Sequence, residues 1–455
     1  MIKVFRIGRS LMGKSLLSAL ALVALTAIAQ DTRKPLPDTT KCPDAIVNEA
    51  TCYSARLATG AYLLAAMPRN WNGNLIVFAH GGPHIVPPTA TTSHTDLDKY
   101  GIGVKLGFAW IASTYRREGY GVQMAVDDTE DARKFFIERI ATPRRTILHG
   151  ASYGGLVGAK LLETRAVNVA GAPHYDGAML NSGAMGGALP NYEFRADLRV
   201  VYQYYCRNLP RADEPQYPLW MGLPADSKMT LKEIAARVDG CTGVAQPAAA
   251  RTETQKQNLA NVLGVIRIPE SMLVRHMQAA TFVLRDLAQG IGRGRGVFSN
   301  RNVRYQGSAD DAALNRDVER FDADAAALAA ITADGQPTGA LPVPVISIHS
   351  LNDPQAAVEA QYEYRERVHA AGNGGRLVQA YTDEPAHTAQ SAAELAAVFE
   401  ALMQWIEKGV KPVPSSIAAA CTRLSMLHSG PCRYRPEYEP KPYSTRFARS
   451  AAVRW

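Results

Sequence analysis

Short apolar runs rich in β-branched residues alternate with amphipathic stretches along most of this 455-residue chain, and that alternation limits its fold more than any other feature. The runs 74–79 (NLIVFA), 107–113, 146–149, 176–181, 343–349 and 376–381 are bounded by turn residues and read as buried strands. Between them, 126–140, 156–162, 356–369 and 389–406 carry the 3.6-residue spacing of helices. Residues 55–67 read as an antiparallel entry hairpin. The expectation is an α/β protein with a mostly parallel central sheet flanked by helices.

One interval breaks the alternation. Residues 187–339 hold helical patterns and loops between two core strands, and an insertion of that size at the strand ends would cover a site as a cap. Its stretch 191–208 is rich in Tyr and Arg. Its Gly290–Gly296 run resembles a phosphate loop only in glycine content, since no strand precedes it and no Lys-Ser/Thr follows; a loop is expected. The expected organisation is a leader over 1–29, a first core half over 30–186, the helical cap insertion over 187–339, a second core half over 340–410, and a basic Pro/aromatic extension over 411–455.

The leader reading rests on Lys3, Arg6, Arg9 and Lys14 before an apolar segment from Leu16 to Ile28, ending in the small-x-small tripeptide Ala27-Ile28-Ala29. The apolar run is short for a membrane span of ~20 residues, so an exported chain, periplasmic or extracellular, with no stable membrane anchor is expected. The formal charge of +8 falls to about +4 without those four basic residues, and the segment 433–455, with six basic and two acidic residues, accounts for that excess. A near-neutral body with no basic face interleaved with aromatics argues against a nucleic-acid partner. The tail is expected to be a solvated arm or a surface strap.

Six cysteines remain after the leader, an even number that favours disulfides in an oxidising compartment. Sequence leaves fifteen pairings open; nearness suggests Cys42 with Cys52, Cys206 with Cys241 and Cys421 with Cys432. No CxxC pair points to a metal.

The chemistry concentrates at Gly150-Ala-Ser-Tyr-Gly-Gly155, between a strand ending at His149 and a helix starting near Leu156. Glycines on both sides of Ser152 permit a sharp strand-to-helix turn that lifts its hydroxyl above the sheet edge, marking it as a nucleophile. The backbone N–H of Tyr153 then faces a developing oxyanion, and a second donor is expected from Gly81 or Gly82 in the loop His80-Gly-Gly-Pro-His84. His387 is the candidate base, because it is the only histidine between the last core strand and the final helix. Asp353, in the loop after the preceding strand, is the candidate orienting acid; Asp383, four residues before His387, is its rival, and the chain order Ser, Asp, His favours Asp353. His80, His84, His149 and His349 read as structural or substrate-facing. Such a set performs acyl transfer without a metal or organic cofactor.

With these residues in place, the chain resembles the α/β-hydrolase superfamily over roughly 55–409. The stretches 77–84, 114–121 and 150–155 look like catalytic domains of the prolyl-oligopeptidase type, a resemblance that implies Ser152, Asp353 and His387 as the triad. Those peptidases carry an N-terminal β-propeller, for which about 45 residues between leader and first core strand leave no room. A large internal cap is the arrangement of many lipases and esterases. The leading expectation is hydrolysis of a carboxylic ester or related acyl bond, with a small-molecule or peptide acyl substrate. The alternative is an exported peptidase or aminopeptidase, for which Glu193 or the acidic segment 310–324 would hold an amine. A third reading, a silent binding protein on the same fold, requires a broken triad.

Overall fold

The computed structural model describes residues 35–447; the expected leader and the last eight residues of the tail lie outside the described residues. Nine strands form one sheet: β1 (Asp38–Thr40), β2 (Ala50–Arg56), β3 (Tyr62–Pro68), β4 (Asn74–Ala79), β5 (Ala109–Ser113), β6 (Arg145–Ala151), β7 (Gly177–Asn181), β8 (Val345–Ser350) and β9 (Leu377–Thr382). Their spatial order is β1-β2-β3-β5-β4-β6-β7-β8-β9. The first three strands and the β3–β5 pair run antiparallel, and all pairs from β5 to β9 are parallel. Each run expected to be a strand overlaps an observed one, and the entry hairpin is β2–β3, displaced toward the N-terminus. Strand β1 (DTT) had no apolar signal; it pairs at the sheet edge opposite Cys52–Ser54.

Helices α1 (Thr92–Tyr100) and α2 (Ile102–Lys105) follow β4, α3 (Val122–Arg139) follows β5, and α4 (Tyr153–Arg165) follows β6. Six helices lie between β7 and β8: α5 (Ala188–Cys206), α6 (Leu231–Thr242), α7 (Glu253–Ile266), α8 (Leu273–Gln289), α9 (Asp311–Asp317) and α10 (Ala325–Gly335). After β8 come α11 (Ala360–Ala370), then α12 (Ala392–Lys408) and α13 (Pro414–Leu424) beyond β9. The two-residue period of a strand sorts side chains between two apolar layers. Leu75, Val77 and Leu148 face the layer built with Val126 and Phe136 of α3 and Val157 of α4. Ile76, Phe78 and Ile147 face the other, with Val104 of α2 and Phe399 and Leu402 of α12. Burial on both faces explains why the central strands read as unbroken apolar runs. This strand order, with crossover helices on both faces and a strand-to-helix turn at Ser152, is the α/β-hydrolase fold, here with an added edge strand β1.

The interval between β7 and β8 carries no strand, and its helices are stopped by local signals. Thr230 and Thr252 close capping boxes with Glu233 and Gln255 at the starts of α6 and α7, and Gly243 ends α6 in the left-handed region. The Gly290–Gly296 run is a chain of turns after α8. The tail is a strap as far as it is described. Tyr434 bridges to Thr382 beside β9, Arg435 pairs with Asp383, and Phe447 stacks on Phe194 of α5 with ring centroids 4.9 Å apart. No described helix is long and apolar enough to cross a membrane.

The cysteines pair as Cys42–Cys52, Cys206–Cys241 and Cys421–Cys432. The second bond joins the C-terminus of α5 to α6 and closes a separation of 35 residues. Replacing both Cys206 and Cys241 with Ser should lower stability by about 3–4 kcal/mol through chain entropy. Denaturant unfolding of the oxidised protein measures this, and a double variant as stable as the parent would show that the cross-link does not constrain the unfolded chain.

Candidate active site

The site is assembled at the C-terminal edge of the parallel strands, where β4, β6, β8 and β9 deliver His80, Ser152, Asp353 and His387 in turn. Ser152 has φ 57° and ψ −122°, a conformation that costs a non-glycine residue free energy and persists only where its surroundings fix it. Its N–H donates to the Asn181 carbonyl at 2.9 Å, and its own carbonyl accepts from Gly155 at 2.9 Å and Ala184 at 3.2 Å. The flanking glycines are required by close approach. A Cβ on Gly154 would lie 1.9 Å from the Ala79 carbonyl oxygen, one on Gly150 2.2 Å from the Gly154 carbonyl oxygen, and one on Gly155 2.5 Å from Gly183 Cα.

Three expected residues meet. His387 Nε2 lies 2.7 Å from Ser152 Oγ, and His387 Nδ1 lies 2.6 Å from Asp353 Oδ2. With Nδ1–H donating to the carboxylate, Nε2 is the lone-pair nitrogen that faces the serine hydroxyl. The second oxygen of Asp353 accepts from the backbone N–H groups of Gln355 and Ala356, both at 2.9 Å. Burial pushes the Asp353 carboxyl upward, but the hydrogen bond and charge of His387, with His349 and the Ala356 N–H, outweigh it and hold the group below the usual carboxylate range. The rival Asp383 is engaged elsewhere: it accepts from Asn352 Nδ2 at 2.8 Å and from Arg435 Nη2 at 2.6 Å.

The remaining histidines divide by burial. His149 sits edge-on to Phe78, Tyr100 and Phe399, where burial lowers its pKa to about 3. His349 donates from Nε2 to the Ala356 carbonyl at 2.9 Å and lies 3.7 Å from Asp353. His80 and His84 face the site: His80 Nδ1 is hydrogen-bonded to Asp96, and its Nε2 contacts His84 Nε2. Burial, aided by the charge of His80, pulls the His84 pKa down to about 4.

Gly81 packs over the turn, its Cβ direction 3.6 Å from both the Ala151 carbonyl oxygen and Ser152 Cβ. Among the described residues, no hydrogen bond uses the backbone N–H of Gly81, Gly82 or Tyr153, so all three expected donors are free beside the serine. Ser152 and His387 open on a cavity of about 590 Å³, a size suited to a small organic ligand. Part of its lining comes from α5 (Asn191, Tyr192, Arg195) and α8 (Arg275, Ala279, Val283). Neither Glu193 nor any residue of 310–324 lines it.

The sequence reading missed Asp96, Lys99, Thr388, Arg195 and Arg275 as cavity residues. Asp96 and Lys99 lie on α1, whose sequence TSHTDLDKY has too few apolar residues to announce a helix. Lys99 Nζ donates to Thr388 Oγ1 at 2.5 Å, a contact across 289 residues that no local pattern signals. The Tyr- and Arg-rich composition of 191–208 was the one available sign of Arg195.

No family model and no curated protein sequence matches the chain. Among solved structures, it is similar to feruloyl esterase B from Aspergillus oryzae at 13% identity and a TM-score of 0.44, covering 84% of this chain and 87% of that one. An esterase from Aspergillus oryzae is similar at 16% identity and a TM-score of 0.43, with 83% and 86% covered. Puromycin hydrolase is similar at 13% identity and a TM-score of 0.39, with 81% of this chain and 40% of that chain covered.

The glycine geometry separates two substitutions. Gly154→Ala should abolish the folded elbow, because its methyl meets backbone on a buried strand rather than a movable side chain. Gly81→Ala has ordinary contact distances and should fold. Thermal melts of the two purified variants check this, and a Gly154→Ala protein melting with the parent would contradict the packing described here.

Proposed function

We propose that this chain is an exported serine hydrolase that cleaves a carboxylic ester or related acyl bond through an acyl-enzyme. The observation that carries the reading is the continuous hydrogen-bonded series from Asp353 through His387 to Ser152, opening on a cavity. His387 Nε2 takes the hydroxyl proton as Ser152 Oγ attacks the acyl carbonyl. Asp353 holds the imidazole in the Nδ1–H tautomer and stabilises the imidazolium that forms. The N–H groups of Tyr153 and of Gly81 or Gly82 receive the oxyanion, and the dipole of α4 points its positive end at the same place. The imidazolium protonates the leaving group; water then attacks the acyl-enzyme with His387 again as base. No metal or organic cofactor enters these steps. Three disulfides fit an oxidising compartment, which supports export.

An ester is favoured over an aminopeptidase substrate by the cavity wall. An amine-binding site needs an available carboxylate, and Asp96, the one carboxylate lining the cavity among the described residues, is bonded to His80.

Treatment of the mature protein with a fluorophosphonate probe should label Ser152, and Ser152→Ala should abolish the label. A label retained in that variant overturns the nucleophile. Asp353→Asn should lower kcat on p-nitrophenyl esters by roughly 10³- to 10⁴-fold through the wrong imidazole tautomer. Asp383→Asn, which loses a partly exposed ion pair, should stay within about threefold. Steady-state kinetics of the two variants decide between the acids, and the reverse ordering would move the assignment to Asp383.

A further inference from the structure

The cavity that holds Ser152 is lined by three cations on three different elements: Lys99 on α1, Arg195 on α5 and Arg275 on α8. Among the described residues, none of the three lies within 4 Å of a carboxylate oxygen. Asp96, the lone carboxylate of the lining, is bonded to His80. Asp96 and Asp353 act on the charge of Lys99, and Arg275 is exposed to solvent, which leaves Arg195 as the cation of the lining that the described residues match least.

Arg195 is the most constrained of the three. Its guanidinium carbon lies 5.3 Å from the Tyr192 ring centroid and 4.6 Å from that of Phe194, so two aromatic faces hold the fork in place. One terminal nitrogen donates to the Asn191 carbonyl, a single neutral acceptor. Its Nε is buried and, among the described residues, has no hydrogen-bond partner. A buried donor left without an acceptor is costly, and more so on a charged group. Burial pulls the guanidinium below its ordinary value, and nearby Arg275 adds to that effect. The same positive field, after burial, contributes to the low pKa of about 3 at His276, which lines the cavity beside Arg275. A guanidinium pinned by rings, held by one carbonyl and unmatched by a carboxylate among the described residues, is a group whose charge an incoming oxyanion would satisfy.

We propose that Arg195, with Arg275 at the cavity mouth, is a specificity subsite for a carboxylate carried by the substrate, so that the preferred substrate is an anionic ester rather than a neutral one. This rests on the serine-hydrolase reading and names its substrate class. Arg195 acts by binding and positioning; it takes no part in proton transfer. Lys99, on α1, adds to the field while its Nζ stays on Thr388, offset in part by Asp96 and Asp353.

The test uses two pairs of esters, one with the carboxylate on the acyl side of the scissile bond and one with it on the leaving-group side. On the acyl side, p-nitrophenyl hydrogen adipate is compared with p-nitrophenyl hexanoate. On the leaving-group side, 4-carboxyphenyl butyrate is compared with its methyl ester. The readout is the ratio of kcat/KM for the anionic over the neutral member of each pair, measured within each protein so that fold and expression cancel. In at least one pair, Arg195→Met, which keeps a stem for the two rings and removes the charge, should lower that ratio by about 10- to 100-fold. Arg195→Lys should retain part of it, and Arg275→Gln should lower it by a smaller factor. Fluorophosphonate labelling of Ser152 in the same proteins separates the two levels of failure. Labelling and neutral-ester turnover with ratios unmoved by both Arg195→Met and Arg275→Gln overturn the subsite alone. Absence of labelling and of all turnover in the parent protein overturns the hydrolase reading, and the subsite with it.

Discussion

Ser152 can hold φ 57° because the backbone on three sides of it is packed against residues that have no side chain. Gly154 touches the end of β4, Gly150 touches Gly154, and Gly155 touches Gly183 after β7. The strained turn is thus over-determined by the spacing of three neighbouring parallel strands, and the strands are held at that spacing by apolar layers on both faces. Everything downstream depends on this packing. It aims the hydroxyl off the sheet edge, starts α4 directly beneath it, and brings the glycine loop after β4 against the serine.

The loops that complete the site are tied by contacts distant in sequence. Asp353 is fixed by two N–H groups of its own loop and by His387 from the next one. Lys99 of α1 bonds Thr388 beside His387, and the tail strap engages Asp383 through Arg435. The tail also reaches α5, where Tyr443 donates to the Pro190 carbonyl and Phe447 stacks on Phe194, next to Arg195. One helix of the insertion is therefore braced from the core side by the chain terminus, and that helix supplies a wall of the cavity.

Charge divides the site into two parts. Near the serine, the buried carboxylate of Asp353 is matched by His387 and by backbone donors, so its charge is stable where it stands. Arg195 and Arg275 line the same cavity, and among the described residues neither lies within 4 Å of a carboxylate oxygen. Arg275 is exposed to solvent, so the cost of burying an unmatched cation falls on Arg195.

The order of strands and helices, the elbow and the glycine loop were legible in the sequence because each depends on a local signal. Apolar runs of strand length, helical periodicity and glycines at fixed offsets survive without any knowledge of partners. The short polar elements β1 and α1 were not legible, since their stability comes from pairing and packing rather than from their own pattern. The choice between Asp353 and Asp383 could be argued from chain order, but only the folded loops decide which carboxylate reaches His387, because Asp383 is drawn aside by Asn352 and Arg435. The sequence by itself determined where a nucleophile could stand. The tertiary structure decided what shares its cavity, because the cations of α1, α5 and α8 converge across some 180 residues of chain, and no local pattern records a distance of that kind.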